Sequence, residues 1–268
     1  MTRTALITGA SAGIGKAFAE HLASDGYDLV LVARREERLK ELAQAFETRF
    51  GVRARVIAAD LADPAAPVRV FEALARDEVA IDVLVNNAGF GIRTTFRNTP
   101  WERHAELIQV EVTAVAHLTH LCLPGMIERG YGRIVHVASL AGLMPGAPTS
   151  TLYAAAKSFL VKFSESLSAE LQGKGVYVCA VCPGFTRSEF HDVMGTRSIV
   201  SKLPSALWLT AEQVAREGID AVMRGDVVYV PGPVNRALAV IAQHLPPRAA
   251  RGLMQRSGSR YRDVPKNA

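Results

Sequence analysis

The chain has 268 residues, a length that fits one large domain whose core needs no disulfide bonds. Its 49% of hydrophobic and 21% of charged residues exclude global disorder. The net charge of +5 is uneven, because residues 234–268 carry +6 and residues 1–233 carry −1. Nucleic-acid binding by the body of the protein is therefore not expected.

The predicted elements alternate between strands and helices along the chain. Strands are predicted at 4–8, 28–33, 53–58, 81–85, 133–137, 176–181 and 227–230. Helices are predicted at 13–24, 36–50, 64–76, 101–129 with a bend near Pro124, 152–171 and 211–223. Apolar strands that alternate with helices indicate an α/β protein of the Rossmann type, with a doubly wound parallel sheet covered by helices on both faces.

No membrane span or exported scaffold is predicted. Apolar runs such as 237–242 are far shorter than the roughly 20 residues that a spanning helix needs. No signal-peptide pattern precedes the first predicted strand, and three cysteines are typical of a reducing compartment. We therefore expect a cytoplasmic protein.

The chain is predicted to hold a single domain at 1–233 and a basic extension at 234–268. The composition favours a solvated extension. Contact with an acidic partner, an anionic membrane surface or a phosphorylated substrate is the less favoured alternative.

Cys179 and Cys182 form a Cys-x-x-Cys pattern within a predicted strand. Side chains three positions apart in a strand point to opposite faces, which favours a buried core over a redox or metal site. The histidines show no ligand spacing, and no metal site is expected.

The first predicted strand is followed by a glycine-rich turn at 8–15, which opens a helix. Such a turn lets a pyrophosphate approach the helix N-terminus, although a turn that merely needs glycine is the alternative. The second strand ends in Arg34 and Arg35, with no acid at either position. Arginine there accommodates a ribose 2′-phosphate, so NADP(H) is favoured over NAD(H); solvated arginines are the alternative.

Several motifs together resemble the short-chain dehydrogenase/reductase family. They are the TGxxxGxG turn at 8–15, Asp60-Leu61, the NNAG at 86–89, the set of Ser139, Tyr153 and Lys157, and the Pro-Gly at 183–184. Segments 123–126 and 230–232 bear a weaker resemblance to the branch of 3-oxoacyl and steroid-type reductases. The resemblance implies a seven-stranded doubly wound sheet, a carbonyl or alcohol substrate, and a homodimer or homotetramer.

The resemblance also implies which residues bind the cofactor. They are Gly9, Ser11, Ala12, Gly13, Ile14, Gly15, Arg34, Arg35, Asp60, Leu61, Asn87, Ala88, Gly89, Tyr153, Lys157, Pro183, Gly184, Thr186 and Ser188.

Tyr153 and Lys157 are four residues apart and share one face of a predicted helix. A nearby ammonium favours tyrosinate and can lower a tyrosine pKa by ~1–3 units, towards neutrality. The resemblance implies that Tyr153 exchanges the proton, Lys157 tunes Tyr153 and holds the nicotinamide ribose, and Ser139 fixes the substrate oxygen. An ordinary amphipathic-helix pair is the alternative for Tyr153 and Lys157.

One position departs from the family pattern. Glu111 stands where the family usually has an Asn that helps to hold a proton-relaying water. If Glu111 is close to Lys157, its charge should stabilise the ammonium and offset part of the effect on Tyr153. A shifted helix and a solvent-facing glutamate remain open as alternatives.

An apolar lid is predicted near 188–210, and Leu143, Met144 and Pro145 follow Ser139. These residues either contact an apolar substrate or only fill the core. We therefore expect an NADP(H)-dependent oxidoreductase that interconverts a ketone or aldehyde and an alcohol. A dinucleotide-sensing or scaffold protein with the same fold is the alternative, and Glu111 is its one support.

Overall fold

The computed structural model describes residues 2–92, 94–148, 150–189, 204–244 and 246. The strands are β1 (Thr4–Thr8), β2 (Asp28–Ala33), β3 (Ala54–Ala58), β4 (Val83–Asn86), β5 (Gly132–Val137), β6 (Val176–Val181), β7 (Phe185–Arg187), β8 (Trp208–Thr210) and β9 (Val228–Tyr229). The helices are α1 (Gly13–Ser24), α2 (Glu36–Phe50), α3 (Ala66–Arg76), α4 (Trp101–Ile108), α5 (Ala114–Glu128), α6 (Thr151–Glu170), α7 (Ala211–Arg224) and α8 (Pro233–His244).

Within the described part of the chain, seven parallel strands form one sheet in the order β3-β2-β1-β4-β5-β6-β9. The predicted seven-stranded, doubly wound sheet is thus confirmed. β7 and β8 form a separate parallel pair. The strand order reverses between β1 and β4, and the crevice at the carboxyl ends of such strands is where ligands bind in this architecture.

Alternate side chains of the strands enter cores on opposite faces of the sheet, as the side-chain period of two requires. Ile7 packs in one core with Phe18 of α1. Its neighbour Leu6 packs in the other core with Leu118 and Met126 of α5. Each strand is therefore buried on both faces, which explains the continuous apolar runs in the sequence.

The predicted helix at 101–129 is helical without a break from Trp101 to Glu128, but it is not α-helical throughout. A π-helical turn at Gln109–Thr113 separates α4 from α5. Such a turn closes hydrogen bonds five residues apart and therefore shifts the helical phase of α5 relative to α4. Trp101–Glu128 is also the one stretch among the described residues that is long and apolar enough to cross a membrane, judged by length and composition only. Its residues Leu118 and Met126 are buried in the core.

Helix α8 is absent from the predicted elements. Its Asn235 and Ala239 are buried against the rest of the protein. The predicted domain limit at 233 stays a prediction, and residues 247–268 of the extension lie outside the described part of the chain.

Cys179 and Cys182 are buried in different clusters. Cys179 packs in the core that contains Phe18, whereas Cys182 packs with Leu160 and Val230. The predicted core role on opposite faces of the strand is thus confirmed. Among the described residues, no group of three or more His, Cys, Asp or Glu side chains could hold a metal ion.

A buried imidazole joins β5 to two helices. His136 is 0% exposed; its Nδ1 lies 2.9 Å from Ser164 Oγ, and its Nε2 lies 3.2 Å from Thr119 Oγ1. Burial lowers the pKa of His136 from 6.5 to about 3. A neutral imidazole is therefore part of the folded state at physiological pH.

We expect this histidine to make stability fall with acidity. The unfolded chain binds a proton at His136 below pH 6.5, whereas the folded chain does so only near pH 3. The contribution of neutral His136 to the free energy of unfolding is complete above pH 6.5 and declines by about 1.4 kcal/mol per pH unit towards pH 3. Urea unfolding of His136→Gln should show a slope against pH that is smaller by that amount.

His120 provides a matched control, because it lies exposed on α5. His120→Gln should keep the slope of the unmutated protein. Parallel pH curves for His136→Gln and the unmutated protein would contradict the prediction.

Candidate active site

The turn between β1 and α1 is locked against the loop that follows β4. Thr8 Oγ1 accepts hydrogen bonds from the backbone N–H groups of Asn87 and Ala88, both at 3.0 Å. Gly9 has a φ of +66°, and a Cβ there would lie 2.7 Å from Asn87 Nδ2. A Cβ at Gly15 would collide with the same nitrogen. Both positions therefore require glycine.

The first turn of α1 is suited to an anion. Its N-cap, Ala12, makes no side-chain capping hydrogen bond, and no acidic residue stands in the first turn. Backbone N–H groups and the positive end of the helix dipole attract negative charge at such a terminus. A pyrophosphate fits this arrangement, so the turn could hold the dinucleotide that the sequence predicts.

The two arginines after β2 differ in their surroundings. Both side chains are exposed, but Arg35 donates from Nη2 to Ser11 Oγ at 3.0 Å and from Nη1 to Glu189 Oε2 at 3.2 Å. Arg38 adds a cation that the sequence analysis does not identify, and it donates to Glu189 Oε1 at 2.5 Å. The sequence feature that could have identified Arg38 is its spacing of three residues from Arg35, the N-cap of α2, which brings both side chains to one side of the helix start.

Asp60 and Leu61 lie at the edge of the same crevice. Asp60 is exposed, and its Oδ1 accepts from Ala62 N at 3.0 Å. Leu61 is buried, and its carbonyl accepts from Gln109 Nε2 at 3.4 Å. Their predicted contacts with the cofactor stay predictions.

Three predicted catalytic residues come together after β5. Ser139 caps a short 3₁₀ turn, and its Oγ accepts from Ala141 N at 3.1 Å. This leaves the hydroxyl hydrogen to donate to a substrate oxygen. Lys157 Nζ lies 5.6 Å from the centre of the Tyr153 ring and donates to Val137 O at 2.9 Å.

A close contact holds the Ser139 turn against α6. A Cβ at Gly142 would lie 2.6 Å from the Lys157 carbonyl carbon, and Ser158 Oγ donates to Gly142 O at 2.7 Å. The helix that carries Tyr153 and Lys157 and the turn that carries Ser139 therefore form one unit.

Glu111 faces this unit. The carboxylate is 1% exposed, and its Oε2 lies 3.4 Å from Lys157 Nζ. Its Oε1 accepts from Phe90 N at 2.8 Å. The solvent-facing alternative is therefore wrong. The shifted-helix alternative is wrong as well, because the π-helical turn that contains Glu111 leaves its carboxylate next to Lys157. The hydropathy pattern of the sequence does not indicate this π-helical turn.

The pair changes the electrostatics of the site. Burial alone would lower the pKa of Lys157, but the charge of Glu111 and the proximity of Tyr153 outweigh it, so the net pKa is raised above 10.5. Burial raises the pKa of Glu111, and Lys157 and the Phe90 N–H oppose that shift. Lys157 is therefore held as an ammonium. The carboxylate of Glu111 offsets part of its charge and so weakens its effect on the pKa of Tyr153.

The Pro-Gly segment after β6 lies next to the Ser139 turn. Leu140 N donates to Pro183 O at 2.9 Å, and the buried Thr186 donates from Oγ1 to Gly184 O at 3.1 Å. A Cβ at Gly184 would lie 2.5 Å from Asn235 Oδ1 of α8. This support from α8 is missed by sequence reasoning, because charge dominates the pattern after residue 233.

The predicted lid is described only at its ends. Residues 190–203 lie outside the described part of the chain. At the ends, the rings of Phe185 and Trp208 lie 5.8 Å apart. Leu143, Met144 and Pro145 are half-buried after the Ser139 turn, and their contact with a substrate stays a prediction.

Comparison with known proteins identifies the family. A family model described as short chain dehydrogenase matches residues 3–197. The chain belongs to the short-chain dehydrogenase family.

Relatives and solved structures agree with this membership. The very-long-chain 3-oxoacyl-CoA reductase of Rattus norvegicus is 32% identical over 239 residues, which cover 87% of this chain and 75% of that protein. A relative of this kind is what the weaker resemblance predicts. A short-chain dehydrogenase from Sphingobium yanoikuyae, solved in complex with NADPH, is 33% identical, with a TM-score of 0.80 over 99% of this chain and 97% of the other. A 7β-hydroxysteroid dehydrogenase is 26% identical, with a TM-score of 0.82 over 94% and 96%.

Replacing Glu111 should shift the pH profile of this dehydrogenase family member. We expect Glu111→Asn and Glu111→Gln to remove the charge that offsets the effect of Lys157 on Tyr153. The rate of alcohol oxidation should then rise at a lower pH than in the unmutated enzyme, as initial rates between pH 6 and about pH 10 would show.

Two outcomes would contradict this account of Glu111. An unmoved pH profile in both variants would mean that the carboxylate is not coupled to the catalytic pair. Collapse of activity in both would mean that Glu111 itself carries the proton.

Proposed function

We propose that this protein is an NADP(H)-dependent oxidoreductase that interconverts a ketone or aldehyde and an alcohol. The observation that carries the proposal is the placement of Ser139, Tyr153 and Lys157 around the end of β5, together with a turn after β1 whose helix N-terminus suits an anion. The arginines after β2 and the NADPH-bound relative support NADP(H) as the cofactor.

The residues divide the work of carbonyl reduction among themselves. NADP(H), when bound, supplies the hydride in reduction and accepts it in oxidation. Ser139 donates its O–H to the carbonyl oxygen, and Tyr153 gives that oxygen its phenolic proton as the carbon is reduced. The Lys157 ammonium then stabilises the tyrosinate. In alcohol oxidation, the tyrosinate takes the hydroxyl proton back.

An apolar carbonyl compound fits the surroundings of the site best. Leu143 and Met144 follow the catalytic serine, and Phe185 and Trp208 lie at the two ends of the predicted lid. Relatives named for 3-oxoacyl-CoA and hydroxysteroid substrates support the same class. The protein acts as a carbonyl reductase on such compounds.

The protein is cytoplasmic and assembles as a homodimer or homotetramer. Its three cysteines are buried and free, which fits a reducing compartment. The family resemblance supports the assembly. Membrane contact by the basic extension stays the less favoured alternative.

The scaffold alternative loses its one support at Glu111. In this chain the glutamate is paired with Lys157 instead of disrupting the site. The glutamate therefore gives the scaffold alternative no support, because an ion pair stands where the family usually has a neutral side chain.

A Tyr153→Phe variant tests the proposed chemistry. The unmutated protein should oxidise NADPH with members of a panel of apolar ketones and 3-oxoacyl thioesters, followed by absorbance. Tyr153→Phe keeps the ring and removes the proton donor, so turnover should fall by ~10²–10⁴-fold while cofactor binding survives.

Tyr177→Phe is the matched control. Tyr177 is exposed near the start of β6, at the opposite end of the sheet, and the same hydroxyl loss there should leave turnover unchanged. Near-normal turnover by Tyr153→Phe would refute the assignment and favour the scaffold alternative.

A further inference from the structure

A carboxylate already lies between two of the cations that follow β2. Glu189 stands two residues after the end of β7. Its Oε2 lies 3.2 Å from Arg35 Nη1, and its Oε1 lies 2.5 Å from Arg38 Nη2. Each oxygen thus engages a separate guanidinium, much as two oxygens of a phosphate would.

The same segment lies across the glycine-rich turn. A Cβ on Gly13 would lie 3.0 Å from Ser188 Cβ, so Ser188 packs directly on the turn. Arg35 in turn donates to Ser11 Oγ from both Nε and Nη2, at 3.3 and 3.0 Å. The Glu189 carboxylate, the two guanidiniums and the turn therefore form one charged cluster at the adenosine end of the proposed cofactor site.

Glu189 is ionised in this cluster. The hydrogen bond from Arg38 holds the pKa of the Glu189 carboxyl below its usual range; desolvation opposes this shift, and the hydrogen bond from Arg35 adds to it. The carboxylate neutralises part of the positive charge that a 2′-phosphate would use. A dinucleotide that lacks the 2′-phosphate has a ribose hydroxyl at that position, and its binding does not require an ion pair with the arginines.

We propose that Glu189 is a specificity-determining residue whose carboxylate competes with the 2′-phosphate of NADP(H) for Arg35 and Arg38. The inference rests on the proposed cofactor. Binding of NADP(H) then exchanges a carboxylate for a phosphate on the two arginines, and NAD(H) leaves the carboxylate in place. Glu189 thereby weakens the binding of NADP(H) but not of NAD(H). It reduces the preference for NADP(H) over NAD(H) that the two arginines create.

The test compares two fragments of the cofactors by calorimetry. Adenosine 2′,5′-bisphosphate carries the 2′-phosphate, and 5′-AMP lacks it. Glu189→Gln keeps the size of the side chain and removes the charge. It should tighten binding of the bisphosphate about two- to tenfold, the range for one or two exposed ion pairs, and leave 5′-AMP unchanged. The gain should shrink as salt is raised.

Glu37→Gln is the matched control. Glu37 lies on α2 next to Arg38, pairs with Lys40 at 2.9 Å, and loses the same single charge when substituted. It should leave the dissociation constants of both fragments unchanged. The comparison of the two variants separates competition for Arg35 and Arg38 from a general change in electrostatic potential caused by the loss of one negative charge.

Each other outcome overturns the proposal. If Glu189→Gln leaves the bisphosphate unchanged, tightens both fragments equally or matches Glu37→Gln, the competition does not exist, although the proposed cofactor stands. If the bisphosphate binds more weakly, Glu189 positions the arginines instead. If the unmutated protein does not prefer the bisphosphate to 5′-AMP, the cofactor assignment fails as well.

Discussion

A buried ion pair between Glu111 and Lys157 connects the parts on which the candidate site depends. Lys157 belongs to α6, and its Nζ also binds the carbonyl of Val137 at the end of β5. Glu111 belongs to the π-helical turn, and its second oxygen holds the backbone N–H of Phe90 in the loop after β4. Removing one partner of such a pair leaves a buried charge and typically costs about 3–5 kcal/mol. The pair therefore holds the loops after β4 and β5 in register with the helix that carries Tyr153.

Carboxylates partly neutralise cations at both ends of the proposed cofactor site. At one end Glu111 lies 3.4 Å from Lys157, which is proposed to tune Tyr153. At the other end Glu189 pairs with Arg35 and Arg38, the arginines proposed to bind the 2′-phosphate. The first pair is buried, so its charges interact through a medium of low polarity and can shift proton affinities strongly. The second pair is exposed, so water and salt screen it and its effect is modest.

Most of the fold could be predicted from local rules, whereas the candidate catalytic residues are predicted from the resemblance to the short-chain dehydrogenase/reductase family. Apolar runs buried on two faces predict the strands, and the spacing of four residues places Tyr153 and Lys157 on one helix face. The π-helical turn could not be predicted, because one additional residue per turn leaves the composition unchanged. The direction of Glu111 depends on that turn, which is why the sequence left its alternatives open.

The other missed features depend on tertiary contacts. Asn235 is polar in sequence yet buried against Gly184, where the glycine leaves room for it. The partnership of Arg38 and Glu189 joins residues 151 positions apart, and no local pattern signals it. Such pairs become visible only when the carboxyl ends of β2 and β6 lie on one edge of the sheet.

The proton affinity of Lys157 is the most direct test of the central claim that Glu111 sets the charge of the catalytic pair. Nitrogen-15 NMR of the lysine side chains, with Lys157 assigned by substitution, would follow its ionisation in the unmutated protein and in Glu111→Gln. We predict that the unmutated Lys157 keeps its proton to a higher pH than an ordinary lysine, because the charge of the carboxylate outweighs burial and holds its pKa raised. In Glu111→Gln the carboxylate no longer opposes burial, so the pKa of Lys157 should be lower than in the unmutated protein, while the ammonium persists over the pH range in which alcohol oxidation rises. Identical titrations in the two proteins would contradict the account.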